Sequence, residues 1–179
     1  MSTLKRIVRQ LAATEAAEIA EAALVLPLVF ALLLGIIWFG RAFNIYSTIQ
    51  QAAQQGAITA ARATCGTCGN TLAKPKVVYE VVEAVMNASS IDPSQIESVS
   101  PPTPYSCRDI TKTVACKVHK NVTICEQALL NYSSGSASQT PQCGIIVSFQ
   151  YPFTFYLPFT SLNMSKVTLS AQAQSRMEN

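Results

Sequence analysis

The side chains of this chain with chemistry to offer are its six cysteines, its single histidine and a glutamate at the edge of an apolar run. Cys65 and Cys68 form a Cys-x-x-Cys pair. A reactive pair of that spacing keeps its first thiol at a helix N-terminus, where the dipole lowers the thiol pKa. Here the pair follows a helical pattern, so the dipole has the wrong sign, and no strand precedes it. Redox catalysis is not expected. Zinc is a second possibility, with Cys116, His119 and Cys125 as further ligands, but the spacings match no standard finger. Structural disulfides are the expectation for Cys65, Cys68, Cys107, Cys116, Cys125 and Cys143. The pattern leaves their connectivity open, with Cys116–Cys125 across neighbouring strands as one local pairing. His119 lies in Cys116-Lys117-Val118-His119-Lys120, flanked by lysines, which suits a solvated loop or strand end better than a general base. No serine-centred elbow, glycine-rich phosphate loop or paired acidic motif is present. The reading is a non-enzyme with no cofactor and no metal.

These residues hang on a chain of 179 residues, enough for an anchor and one modest domain. Its net charge is +3 and charged residues make up 13%, about half the usual share. Such a chain has no basic field for nucleic acid. From Ala22 to Ala61 the only charged side chain is Arg41. Ala22–Gly40 is apolar throughout and spans roughly 28 Å as a helix, close to the thickness of a bilayer core. Lys5, Arg6 and Arg9 precede it, which predicts a cytoplasmic N-terminus. A cleaved secretory signal is the rival, but this run is longer than such signals and is followed by Phe39-Gly40-Arg41-Ala42-Phe43, a poor cleavage site. All the cysteines follow the span, on the side that charge assigns to an oxidising compartment.

Beyond Arg41 the helical pattern continues. Phe43, Tyr46, Ile49, Ala53, Gly56, Ala57 and Ala60 recur at spacings of three and four. Ala52, Ala53, Gly56, Ala57 and Ala60 make its later part small, which lets another backbone approach closely. Packing against neighbouring subunits and packing against the chain's own domain are both open, on one face or two. Pro27 predicts a kink within the span. Glu15, Glu18 and Glu21 precede it, and Glu21 abuts the hydrocarbon, where a carboxylate snorkels or finds a partner.

After a turn at Cys65–Asn70, Lys76–Asn87 reads as an amphipathic helix with Val77, Val81, Ala84 and Val85 on one face. Ile91–Tyr105, with its prolines, is a loop. Thr111–Val118 is strand-like, Asn121–Leu130 is strand or short helix, and Asn131–Gln142 is a polar loop. Gly144–Leu157 and Lys166–Arg176 are strands expected to pair antiparallel across Pro158–Ser165, with Pro152 marking a bend or an edge. The expected class is α+β: a long N-terminal helix over 17–63, spanning the membrane at 22–40, then a small disulfide-bonded domain with an antiparallel sheet over 64–179. Asn87, Asn121, Asn131 and Asn163 each begin an Asn-x-Ser/Thr triplet, which matters only in a eukaryotic source.

Ala20-Glu21-Ala22-Ala23-Leu24-Val25-Leu26-Pro27, Leu33-Leu34-Gly35-Ile36, Phe39-Gly40-Arg41 and Ala52-Ala53-Gln54-Gln55-Gly56-Ala57 together resemble the signature of TadE-like proteins, minor pilins or pseudopilins of the bacterial tight-adherence (Tad) pilus. Tyr151-Pro152-Phe153 and the run from Leu169 to Glu178 also look similar to many members; the cysteine-bearing middle does not. The resemblance implies a leader, residues 1–16, cut between Ala16 and Ala17 by a prepilin peptidase on the cytoplasmic side. It makes Glu21 the fifth residue of the mature chain, where its carboxylate would pair with a neighbouring subunit's new amine. Ala16 stands where glycine is commonly preferred, and Ala22 where an aromatic residue often follows the glutamate. The expected partners are the membrane, other pilin-like subunits in a homo- or hetero-oligomer, and the assembly machinery, with an inner-membrane location and a possible place in an extracellular filament. A single-pass anchored binding domain that stays monomeric is the competing expectation.

Overall fold

The computed structural model describes residues 2–62, 72–100, 103–131, 141–154 and 166–177, with side chains from Glu18 onward. Helix α1, Ser2–Ala61, runs 60 residues with Pro27 inside it. It covers the segment read as a leader as well as the apolar span. The helix continues through Pro27, whose missing N–H leaves one carbonyl without its usual donor. The described domain adds helix α2 (Pro75–Ala88), a 3₁₀ turn at Pro93–Gln95, and strands β1 (Lys117–His119), β2 (Val122–Leu129), β3 (Cys143–Phe153) and β4 (Val167–Arg176). The chain divides into two compact units, the second beginning at Phe43.

In the first unit α1 stands alone. In the second, the sheet is an antiparallel meander in the order β1-β2-β3-β4. Ile145, Val147, Phe149 and Tyr151 alternate along β3 onto one face, as the period of a strand requires. There they join Val122 and Ile124 of β2, Ala171 of β4, and Val78, Tyr79, Val82 and Met86 of α2 in the main core. Ile49, Ala52, Ala53, Ala57, Ala60 and Ala61 of α1 complete it. On the opposite face Ile146 packs with Cys125 and Ala128 in a smaller cluster. Thr123 and Ser148, paired across β2 and β3 on that second face, keep buried hydroxyls with no hydrogen-bond partner among the described residues.

Local chemistry sets the ends and turns. Pro75 opens α2 where no donor is needed. Ser90, at φ 57°, closes it: Ile91 N–H donates to Met86 O and Ser90 N–H to Asn87 O. This is the Schellman pattern, and Ile91 and Met86 are both buried in the core. Lys120 and Asn121, at φ 45° and 66°, form the two-residue turn between β1 and β2. The Asn121 amide donates to Ile96 O at 2.8 Å and ties that turn to the loop after α2. Gln127, at φ 58°, marks a bulge where the β2–β3 register shifts. Gln150 exchanges both backbone bonds with Glu97, so its N–H points away from β4. Two residues on, the nitrogen of Pro152 points the same way, and β4 loses no bond to it. Lys166, just before β4, forms an ion pair with Glu97.

Three expectations shift. The buried face of α2 is Val78, Tyr79, Val82 and Met86, one residue round from the predicted stripe, and Val77 is 40% exposed. Valines at 77, 78, 81, 82 and 85 offer two apolar stripes, and the one carrying the larger Tyr79 and Met86 goes inward. The strand read over Thr111–Val118 begins only at Lys117. Asp109 accepts from the Thr111 N–H at 3.0 Å and its hydroxyl at 2.6 Å, which holds that stretch in a turn. On α1, Phe43 and Tyr46 lie on the predicted apolar stripe yet are exposed; burial begins in earnest at Thr48 and Ile49.

Candidate functional site

Two stretches of α1 carry the residues singled out for function. Along the first, large apolar side chains face outward: Leu24 is 79% exposed, Ile36 61% and Phe39 72%. A contiguous surface of this kind is far larger than soluble monomers show, and water would leave it poorly solvated. The helix is long and apolar enough to cross a membrane, and the most apolar window of it is unburied by the chain itself. Arg41 closes the run with its guanidinium 5.7 Å from the Trp38 ring centroid, a cation–π contact. Glu21 is exposed and makes no ion pair among the described residues. Ala16 and Ala17 lie within the helical span, and their side chains are outside the described set.

The second stretch is the seam of small residues. Ala52, Ala53 and Ala57 are fully buried, Ala60 nearly so. A Cβ on Gly56 would meet Val82 Cγ2 at 3.0 Å, Val78 Cγ1 at 3.4 Å and Val147 Cγ1 at 3.6 Å. The small side chains let α1 sit close beneath α2 and β3. Gln50 Nε2 adds a hydrogen bond to Ser170 O of β4 at 3.2 Å. The seam is therefore occupied within the chain, by α2 and β3. Val78 and Val82, its partners on α2, were not singled out by sequence; their β-branched side chains at i and i+4 were the available signal.

Among the described residues, Cys116 is bonded to Cys125 and Cys107 to Cys143. The first bond closes the β1–β2 hairpin, with Cα atoms 4.2 Å apart. The second ties the loop before β1 to the start of β3, with Cα atoms 5.5 Å apart. Cys65 and Cys68 lie outside the described residues. With Cys116 and Cys125 joined, neither offers a thiolate to zinc, and no group of three His, Cys, Asp or Glu side chains gathers among the described residues. His119 stacks edge-on against Tyr79, with ring centroids 5.8 Å apart. The Tyr79 hydroxyl is pushed above its ordinary pKa by burial, then by the nearby charges of Glu83 and Asp92. Asp92 and Asp109 are held below the usual carboxylate range, first by hydrogen bonds from Ser94 and Thr111 respectively.

Residues 16–57 match the model of the TadE-like protein family. The matched segment takes in both the exposed apolar stretch and most of the small-residue seam. No curated protein and no solved structure matches the chain.

Proposed function

We propose that this chain is a pilin-like structural subunit of a Tad-type pilus or of the machine that assembles it. The observation that carries the reading is the exposed apolar surface of α1, within a segment that matches TadE-like proteins. Lipid covers that surface before assembly, and the helices of neighbouring subunits cover it afterwards. The basic residues Lys5, Arg6 and Arg9 hold the N-terminus in the cytoplasm, so the disulfide-bonded domain lies outside the inner membrane. Removal of residues 1–16 would place a new amine on Ala17. The Glu21 carboxylate, which makes no ion pair among the described residues, would meet that amine on a neighbour at the apolar boundary, where the pair is strong if it offsets desolvation.

The buried seam favours a second reading. Its small residues are accounted for by the fold of one chain, which is what a monomeric anchored domain requires. The two readings part at the exposed positions of α1. A photo-crosslinking residue at Phe39 should capture another pilin-like chain in cells if the helices assemble; lipid adducts alone would favour the monomeric anchor. Glu21→Ala should leave membrane insertion intact and impair assembly. Normal incorporation of that variant into filaments would remove the proposed pairing.

A further inference from the structure

A cleft of about 590 Å³ opens where α2, the Pro93–Gln95 turn and the β1–β2 turn meet. Tyr79, Glu83 and Asn87 line it from α2, one turn apart along the helix; Asp92 comes from the loop and Lys120 and Asn121 from the hairpin turn. Two of these groups are already engaged. Asp92 Oδ1 accepts from the Ser94 N–H at 2.9 Å, and the Asn121 amide holds Ile96 O. The others are not. Tyr79 is 5% exposed, yet its hydroxyl has no hydrogen-bond partner among the described residues. Neither the Glu83 carboxylate nor the Asn87 amide has one. Lys120 makes no ion pair there, and its ammonium rests 4.6 Å from the Tyr79 ring centroid. The ring is buried while the hydroxyl stays open to the polar cleft, a donor available to whatever occupies it.

We propose that this cleft binds a neutral saccharide unit. The cleft holds two carboxylates and an ammonium, so an ion of either sign meets a like charge. Sugar hydroxyls donate and accept at once, which suits a wall that alternates acceptors (Glu83), donors (Tyr79, Lys120) and an amide that does both (Asn87). Pro93 gives the apolar surface against which a ring's C–H face rests. The volume lies within the range of small-molecule sites and admits a disaccharide.

The test uses the full chain, isotope-labelled, in a detergent without a sugar headgroup. Cellobiose and N,N′-diacetylchitobiose are the probes, followed by amide chemical shifts. Saturable shifts at Asn87, Ser94 and Asn121 with a millimolar Kd are expected for at least one probe. Glu83→Gln and Asn87→Ala should each weaken binding about tenfold while the rest of the spectrum stays in place. No saturable shift from either sugar at about 20 mM overturns the proposal. So do shifts that persist unchanged in both variants.

Discussion

Among the described glycines, Gly56 and Gly144 are the two where an added methyl group meets neighbouring atoms, with different consequences. At Gly144 a Cβ would stand 2.5 Å from the Ser175 carbonyl oxygen and 2.4 Å from Leu130 Cδ1. The leucine can turn aside; the backbone of β4 can yield only by parting from β3. Gly144→Ala should cost about 1–3 kcal/mol, read as a lower denaturant midpoint for the domain. At Gly56 the neighbours are valine methyls, and the helix itself gains about 1 kcal/mol from alanine in place of glycine. Gly56→Ala should therefore be close to neutral. Gly56→Leu should destabilise by about 3 kcal/mol or more, because α2 and β3 leave no space for it. A Gly56→Leu protein of unchanged stability would show that α1 is not seated as described. This also changes what a bulky residue in the seam can report: it disturbs the fold of one chain before it says anything about assembly.

Among the elements, the two disulfides differ in the length of chain they close. Cys107–Cys143 spans a sequence separation of 36 and Cys116–Cys125 one of 9. On the chain-entropy account, removing the first pair as a double alanine variant should cost about 4 kcal/mol and removing the second about 3 kcal/mol. Equal losses, or a larger loss at the hairpin, would point to native-state effects instead. Strands β3 and β4 were legible because their alternation is clean: Val167, Leu169, Ala171 and Ala173 against polar neighbours, and a long β-branched and aromatic run from Ile145. The length of α2 was legible, but not which side goes inward, since five closely spaced valines support two stripes and only the sheet above decides. The strand over Thr111–Val118 was overread because β propensity there is overruled by the Asp109 side chain, which binds the next backbone donor but one. The small-residue seam was visible as a pattern. Its partner was not, since Ala and Gly signal closeness without naming what comes close. The polar cleft was illegible for a related reason: Tyr79, Asp92 and Lys120 meet only through the packing of three separate elements.

At the scale of the whole molecule, processing is the question that one measurement decides. An intact mass from cells should show the chain shortened at Ala16–Ala17 if it is handled as a pilin. The same sample, alkylated before and after reduction, should show Cys107, Cys116, Cys125 and Cys143 shielded until reduction. A full-length mass with those thiols open would place the domain in a reducing compartment and overturn the proposed orientation. The last turns of α1 carry a further consequence, for the order of events during synthesis. Ile49, Ala52, Ala53 and Ala57 leave the ribosome early, but the residues that cover them arrive in two instalments. Val78 and Val82 follow soon after; Val147, Phe149 and Ala171 come near the end of the chain. For most of translation the seam is therefore half-roofed, small, apolar and open to any other helix that can lie close. Newly made copies held close together would be able to pair through it wrongly, so the dangerous interval for this protein is the time before β3 and β4 close over its own long helix.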